Sequence, residues 1–334
     1  MKSKCIRHWT RRQPFELPID TGAARAPFTF HLSLFTSLIT DLLITSPSAV
    51  WNDRIIRVSR GVLPAGTWEN VRTRPHPDLA AYVREYQGYF EHSSQPLRRR
   101  EMASGDVSII ISFGTRYEMI DPWTGGSLGQ RSTFVAGLDD GPALVDSTGG
   151  GMAMQIDFTP IGAHRALKVP MHLLSHGTTE LSELLGGQAD RLVERLFEAR
   201  DWQTRFWILD EYLLPAVSQS KATEIDWAWR QLENSRGLVP ISLLNEKLGW
   251  SRKRLARAFR EYVGVPPKTL GRILRFRHAL DELSSQRIGN ASLVAAECGY
   301  SDQAHMIREF SALSGATPAQ LLKRYSSEGG IVEF

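Results

Sequence analysis

Side chains that can bind phosphates and base edges occupy matching positions in two similar segments of the last third of the chain. The set consists of Arg252, Lys253, Ala256, Arg257 and Arg260 in the first segment, and Gln303, Ala304, His305 and Arg308 in the second. In the DNA major groove, arginine can bond guanine at two atoms, glutamine suits adenine, and an alanine methyl suits the thymine methyl. These residue types predict contacts with double-stranded DNA.

Each set lies within one copy of a repeat. Gly249-Trp250-Ser251 precedes Phe259 in the first copy, and Gly299-Tyr300-Ser301 precedes Phe310 in the second. Counted from either phenylalanine, both copies have an apolar residue at −4, Arg at −2, Gly at +5 and Pro at +8. A short helix, a glycine turn and a second helix form a helix-turn-helix, so one subunit could address two segments of one duplex.

The helices of the first unit are predicted from the residues that begin and end them. Residues 240–248 are predicted to form the supporting helix, followed by a turn at Gly249, where glycine tolerates positive φ. The leucines expected to face inward are Leu243, Leu244 and Leu248. Ser251 is a suitable N-cap for the helix that runs to Tyr262, with Leu255 and Phe259 buried.

The second unit repeats this logic. Residues 293–295 belong to its supporting helix, Gly299 makes the turn, and Asp302 caps a helix reaching Ser314, with Met306 and Phe310 buried. Residues 268–283 read as one connecting helix. That helix must hold the two units rigidly, since recognition helices on one face of B-DNA lie roughly 34 Å apart.

The charge of the chain is divided unevenly. The formal net charge is +4 overall, whereas residues 235–334 contain 15 Lys/Arg and 9 Asp/Glu. Within residues 236–277 the ratio is 11 basic to 2 acidic. A basic module beside a slightly acidic one is typical of a nucleic-acid binder with a separate sensing or assembly domain.

These motifs carry a family resemblance. Residues 238–325, with GWSRKRLARAFREYVGVPPK and CGYSDQAHMIREFSALSGATP, resemble the DNA-binding domain of the AraC/XylS family of bacterial transcription regulators. The resemblance implies base contacts from Lys253, Ala256 and Arg257 and from Gln303, Ala304 and Arg308. Asn245 departs from the family, which usually has alanine there. Upstream, residues 75–162 are similar to the N-terminal β domain of a poorly characterised branch of this family.

The fold class predicted for the whole chain is α+β. Residues 71–176 form a mostly antiparallel β domain, a cupin-like barrel or a sandwich, with strands over 106–113, 132–137 and 152–158. A helix is predicted over residues 77–90, before these strands. Helices over 177–234 serve as linker or dimerisation region, with Pro215 closing one of them. An all-α DNA-binding domain of two helix-turn-helix units follows at 235–326.

No enzyme chemistry is predicted. No metal or cofactor is expected, because the strands lack His-x-His and there is neither a nucleophile motif nor a phosphate-binding glycine loop. Cys5 and Cys298 have no ligand spacing and fit a reducing cytoplasm, with Cys298 a small buried packing residue. The alternative is an enzyme or a nonspecific DNA-associating protein that carries a helix-turn-helix module.

The β domain is predicted to sense a small molecule or to dimerise. The candidate ligand-binding residues are the aromatic side chains Tyr82, Tyr86 and Trp123, although these residues could equally form the core. Homodimerisation through the helices of 178–215 is the third role considered, and RNA polymerase is a further partner if the protein is an activator.

The N-terminal stretch, residues 1–70, is predicted to be a poorly ordered extension. Its residues 28–45 are largely apolar and follow a basic segment, which is compatible with a loosely docked helix, a weak membrane anchor, or a stretch outside the functional protein. His31, Asp41 and several hydroxyl side chains weigh against a membrane span, and the predicted location is cytoplasmic.

Overall fold

The computed structural model describes residues 42–44, 56–63, 66–218, 223–285, 290–328 and 332–333. Two antiparallel sheets are built mainly from the N-terminal half of the chain. In spatial order, the larger sheet consists of β1 (Leu42–Ile44), β2 (Ile56–Leu63), β3 (Gly66–Thr73), β4 (Val83–Ser93), β11 (Gly150–Phe158), β6 (Val107–Ser112), β9 (Phe134–Ala136) and β12 (Thr178–Glu180). The smaller sheet consists of β13 (Val332–Glu333), β5 (Leu97–Glu101), β10 (Ala143–Ser147), β7 (Tyr117–Ile120) and β8 (Ser127–Arg131).

Helices make up most of the C-terminal half. They are α1 (Pro160–Leu167), α2 (Leu181–Leu185), α3 (Gly187–Glu198), α4 (Trp202–Ser218), α5 (Glu224–Asn234), α6 (Ile241–Leu248), α7 (Arg252–Tyr262), α8 (Pro267–Ser284), α9 (Ala291–Glu297), α10 (Gln303–Ser314) and α11 (Pro318–Glu328). The predicted α+β class is confirmed. Among the described strands, both sheets are open and neither closes into a barrel.

The strands predicted at 106–113, 132–137 and 152–158 are confirmed as β6, β9 and β11. The helix predicted over residues 77–90 is wrong: only Pro77–Leu79 forms a short 3-10 helix, and Val83–Ser93 is the strand β4. β4 pairs with β3 on one side and β11 on the other. A central strand with apolar side chains on both faces loses the simple alternation that marks a half-exposed strand.

Pro215 lies inside α4, so the prediction that it closes a helix is also wrong. Leu213 and Val217, on either side of it, are 3% and 2% exposed. Because α4 places both side chains in the core, their burial offsets the backbone hydrogen bond that proline cannot donate.

The described chain upstream of residue 71 is β structure. β2 and most of β3 precede the predicted start of the β domain, while the domain boundaries themselves remain predictions. Of the apolar stretch 28–45, only Leu42–Ile44 is described, as a strand paired with β2. The remainder of that stretch lies outside the described residues. Within the described part, no helix has the length and apolar character needed to span a membrane.

One cluster of buried apolar residues runs through both halves of the molecule. It contains Val107 and Phe158 of the larger sheet, Met171 of the connecting segment, and Phe259 and Phe310 of the helical units. The helix-turn-helix region is therefore packed on the β domain through apolar contacts, which fix its position far more firmly than surface charge alone would.

Candidate nucleic-acid interface and inter-sheet cavity

The first helix-turn-helix unit has the predicted turn and cap. Gly249 ends α6 at φ 62° in the left-handed region. Ser251 caps α7, and its hydroxyl accepts a hydrogen bond of 3.2 Å from the Arg254 N–H. Leu255 and Phe259 are fully buried. These local signals fixed the start of α7, because a capping hydroxyl and a positive-φ glycine act within one helical turn.

The packing of α6 differs from the prediction at one position. Leu244 is buried, whereas Leu243 is 39% exposed, so its predicted inward orientation is wrong. Successive helical residues point about 100° apart, and this short helix buries the stripe that contains Leu244. Asn245 is half-buried, and its side-chain oxygen has no hydrogen-bond partner among the described residues.

The outer face of α7 is cationic. Arg252, Lys253, Arg257 and Arg260 are exposed and Ala256 is half-buried. Sequence analysis did not single out Arg254, whose guanidinium lies 4.1 Å from the centre of the Trp250 ring. This contact holds Arg254 against the turn, while the other four cations point to solvent on one helix that begins at an exposed cap.

The second unit repeats this geometry. Gly299 has φ 73°, and Asp302 caps α10 by accepting a hydrogen bond of 2.6 Å from the His305 N–H. This hydrogen bond lowers the pKa of Asp302. Met306 and Phe310 are buried, and the Phe310 ring meets Phe276 of α8 edge to face at 4.8 Å.

The outer face of α10 is less basic than that of α7. Gln303, Ala304 and Arg308 are exposed, and His305 is half-buried. The Gln303 carboxamide accepts a hydrogen bond of 3.1 Å from Ser292 of α9. Nδ1 of His305 lies 3.2 Å from the Ser301 hydroxyl, so this imidazole helps to hold the turn before the helix. The DNA contacts of all nine residues predicted for the two faces remain predictions.

The helices α7 and α10 are both held against the N-terminal half by their C-terminal ends. Tyr262, at the end of α7, stacks at a tilt on His164 of α1, with 4.5 Å between ring centres. The Leu313 carbonyl, near the end of α10, accepts a hydrogen bond of 3.2 Å from the Ala103 N–H. The exposed first turns therefore point away from the β domain, which suits helices that enter a groove with their N-terminal residues.

The connecting helix α8 carries ion pairs to the N-terminal half. Arg272 reaches Glu309 of α10 at 2.8 Å and Asp140 at 3.5 Å. Arg277 reaches Asp106 at 3.1 Å, and Asp106 also pairs with Arg84 of β4 at 3.2 Å. Sequence analysis missed Asp106 and Asp140, because an acidic residue that pairs across a tertiary interface leaves no local pattern.

A cavity of about 160 Å³ lies between the two sheets. The side chains of a second, smaller apolar cluster, separate from the main core, all line it: Ile110, Tyr117, Met119, Phe134, Ala136 and Val145. The segment Met102–Asp106 also contributes to the lining. The same segment bonds α8 through Asp106 and α10 through Ala103, so the cavity wall is continuous with the contact to the DNA-binding region.

Polar groups in the cavity wall come mainly from β4, β5 and β11. Arg99 is buried and paired with the Glu91 carboxylate at 2.6 Å. Glu101, on the same side of β5, also lines the cavity, and burial raises its pKa to about 7. The buried Asp157 accepts hydrogen bonds from Ser108, Gln87 and Gln155, and burial raises its pKa to about 7 as well.

The three predicted ligand-binding residues do not line this cavity. Tyr86 is fully buried in the core, where its hydroxyl donates to Asp210 at 3.0 Å. Tyr82 lies beneath the Arg165 guanidinium, 4.6 Å from it. Trp123 is 69% exposed on the turn between β7 and β8. The tyrosine that does face the cavity from β4 is Tyr89.

Asp139, Asp140 and His176 form a group whose potential ligand atoms lie within 4.8 Å of one another. His176 bonds Asp139 at 3.1 Å, and Asp140 pairs with Arg272 of α8 at 3.5 Å. Asp140 thus connects the group to α8, and the side chain of His176 is 57% exposed. The two aspartates lie in a turn-rich segment, which gave no local sequence pattern that would have marked them.

α7 and α10 are N-capped helices with exposed polar faces, and each follows a supporting helix and a positive-φ glycine. This arrangement defines a DNA-binding protein of the helix-turn-helix class. Residues 244–324 match the family model of a helix-turn-helix domain, and residues 71–180 match that of a domain of unknown function (DUF6597). The helix-turn-helix domain is of the AraC type, so the resemblance to this family of transcription regulators is confirmed.

Solved structures provide more distant likenesses. ToxT from Vibrio cholerae O395 is 10% identical, with a TM-score of 0.41 over 72% of this chain and 98% of that one. The AraC-like transcriptional activator CuxR is 15% identical, with a TM-score of 0.22 over 81% of this chain and 86% of that one. At such low scores neither superposition defines how the domains are arranged. No curated protein matches the chain.

Proposed function

We propose that this DNA-binding transcription regulator reads two adjacent segments of one duplex, with α7 and α10 in successive major grooves. The carrying observation is that both helices expose their first turns and polar faces while their far ends are packed on the β domain. α8 and the β domain together then act as a rigid frame that sets the separation of the two helices.

The exposed residues divide into two roles. Lys253, Ala256 and Arg257 of α7, and Gln303, Ala304 and Arg308 of α10, are proposed to face base edges. Arg252 and Arg260 are proposed to bind phosphates, which gives affinity without sequence preference. His305 contributes by holding the turn before α10, in keeping with its contact to Ser301.

The inter-sheet cavity is the proposed effector site, in place of Tyr82, Tyr86 and Trp123. Its wall segment Met102–Asp106 bonds both α8 and α10. A ligand that moves this segment would change the placement of α10 relative to α7. Homodimerisation, contact with RNA polymerase, a cytoplasmic location and the lack of enzymatic activity remain predictions.

Selection of bound sequences from a random duplex pool by the full-length chain at near-physiological salt tests this function. We expect a two-part motif with its parts about one helical turn, roughly 34 Å, apart. A single half-motif would show that only one unit reads bases. If the protein binds duplexes from the pool without enriching any sequence, it is a nonspecific DNA binder, whose affinity depends on salt and not on sequence.

Arg308→Ala and Arg260→Ala form a matched pair, since both remove an exposed guanidinium from a recognition helix. Arg308→Ala is expected to relax specificity in one half of the site and to cost roughly 1–3 kcal/mol of binding free energy. Arg260→Ala should weaken binding to all sequences about equally. It should also reduce the slope of the logarithm of the binding constant against the logarithm of the salt concentration by about 1. Equilibrium binding to site variants at several salt concentrations measures both effects. Unchanged binding by Arg308→Ala, or a sequence-selective loss in Arg260→Ala, would contradict the assignment.

A further inference from the structure

We propose that the inter-sheet cavity binds an organic cation, an amine or quaternary ammonium with an apolar body, whose charge is neutralised by Glu101. This inference rests on the proposed function in taking the cavity as the effector site. It adds the chemical class of the ligand, which follows from the charges and ring faces of the cavity wall.

The positive charge in the wall already has a counter-ion. The Arg99 guanidinium donates to both oxygens of Glu91, at 2.8 and 2.6 Å, and to the Ser147 hydroxyl at 3.0 Å. Arg99 and Glu91 are 5% and 3% exposed. A buried pair with this geometry is neutral as a unit, so it offers little attraction to an anionic ligand.

Glu101 is the carboxylate without such a partner. It lies two residues beyond Arg99 on the inward side of β5, opposite Ala143 of β10. Among the described residues, none donates a hydrogen bond to it. Burial raises its pKa from the usual 4.5 to about 7, and the nearby Arg99 only partly opposes this shift. A cation beside Glu101 would supply the missing counter-charge in a poorly solvated site.

The remaining walls suit a soft, apolar cation. The rings of Tyr117 and Phe134 meet at 71° with centres 5.9 Å apart, so they form two adjoining walls, and Met119 lies beside them. Aromatic faces attract cations and disfavour anions. A neutral ligand of the same shape would leave Glu101 uncompensated.

The other charged and titratable groups near Glu101 are either bound to partners within the protein or buried. Asp106 is bound by Arg84 and Arg277, and Asp139, at the edge of the cavity, bonds His176. Burial raises the pKa of Tyr89 and Tyr117 above 10, so both hydroxyls stay neutral between pH 6 and 8. Asp157, which bonds three residues of the wall from β11, also has a pKa near 7 and must be separated from Glu101 by experiment.

Isothermal titration of the full-length protein tests the ligand class. The probes are tetraethylammonium, benzyltrimethylammonium and phenethylammonium, with phenylmethanesulfonate as an anion of similar size to the second. At least one cation should bind, and the anion should bind more weakly. Glu101→Gln should weaken cation binding about tenfold or more, since it removes a lining carboxylate that has no paired arginine among the described residues. Glu118→Gln, a matched change on the opposite face of β7, should bind like the unchanged protein.

Proton release gives an independent readout. With a pKa of about 7, Glu101 is half protonated at pH 7, so cation binding should release about half a proton per site. Comparing binding heats in buffers of different ionisation enthalpy measures this number. The release should disappear in Glu101→Gln. An undiminished release in Glu101→Gln would come from another group, such as Asp157, and would overturn the role given to Glu101.

Three results would overturn the inference: no binding of any of the cations, tighter binding of the anion, or equal cation affinity in Glu101→Gln and the unchanged protein. Folding of the variant is checked by its thermal unfolding. Selection of a two-part DNA motif, as described above, is a separate measurement. A protein that selects DNA but binds none of the cations would contradict only the ligand class.

Discussion

At the scale of single residues, the buried carboxyl group of Glu101 affects both the proposed ligand binding and the free energy of unfolding. Glu101 has a pKa of about 7 in the folded protein against an ordinary value of 4.5. A carboxyl group whose pKa is raised by folding does not affect the free energy of unfolding while it is protonated in both states, and it lowers that free energy once the unfolded chain ionises more readily. As pH rises above 4.5 the unfolded chain ionises first, so stability falls until about pH 7 and then levels off.

Glu101→Gln should remove this penalty. We expect equal free energies of unfolding for variant and unchanged protein near pH 4.5, and a variant more stable by about 2 kcal/mol at pH 8, after allowance for solvent in the cavity. Chemical denaturation at the two pH values measures the difference. Glu118→Gln should show no such pH dependence. A Glu101→Gln variant that is less stable at pH 8 would mean that the carboxylate has a partner in the fold.

For single residues, the sequence predicted well which side chains of the helices are exposed, but it did not predict which residues line the cavity. Arg257 and Arg308 could be placed on outer faces, because Phe259 and Phe310 fix the inner face of each helix. Glu101 lies in the segment Leu97–Glu101, whose three consecutive arginines resemble a solvated edge. Only the pairing of β5 with β10 and the packing of one sheet over the other turn Glu101 inward.

Among the elements, α6 carries a polar group in the wrong environment. The buried Asn245 side-chain oxygen has no hydrogen-bond partner among the described residues. An unsatisfied buried polar atom costs about 1–3 kcal/mol, and alanine is also the better helix former. This residue is the departure from the AraC family pattern noted in the sequence.

Asn245→Ala should therefore stabilise the protein by about 1–2 kcal/mol. Thermal or chemical unfolding measures the gain, and Ser242→Ala, at an exposed position of the same helix, is the control for helix propensity. Affinity for DNA should be retained, since Asn245 is not on the face of α7. If Asn245→Ala lost stability, its side chain would have to be bonded through water or through residues beyond those described.

The elements themselves were predictable to different degrees. α7 and α10 were located to within a residue, because Ser251 and Asp302 are local caps and Gly249 and Gly299 mark the turns. β4 was mistaken for a helix, since its apolar residues Val83, Tyr86 and Phe90 fit a helical spacing, and only its two neighbouring strands make it a strand. Caps and turn glycines act within one helical turn and can therefore be recognised in the sequence. The pairing of distant strands cannot be recognised in this way.

At the scale of the whole molecule, Asp106 joins three parts of the structure. It lines the cavity, pairs with Arg84 of the larger sheet, and pairs with Arg277 of the helix that connects the two DNA-binding units. Its side chain is 3% exposed, while those of Arg84 and Arg277 are 35% and 18% exposed. The carboxylate is thus the buried member of a network that ties the β domain to α8.

Asp106→Asn keeps the size of the side chain and removes its charge, which leaves two guanidinium groups facing a neutral amide. Loss of one member of a buried ion pair costs about 3–5 kcal/mol, and we expect the lower end because Arg84 retains Glu233. Denaturant unfolding measures this loss. Asp146→Asn is the matched control. Asp146 also pairs with an arginine, Arg98, but at the surface, where the expected loss is below about 1 kcal/mol.

The same variant tests whether the β domain sets the spacing of the two DNA-binding units. With α8 released from Asp106, amide hydrogens around Arg277 should exchange faster, because the anchored segment opens more often. Binding should also tolerate half-sites moved by one or two base pairs better than the unchanged protein does, since a looser frame accepts more separations. An Asp106→Asn protein that is destabilised but keeps the same spacing preference would assign the separation of α7 and α10 to α8 alone.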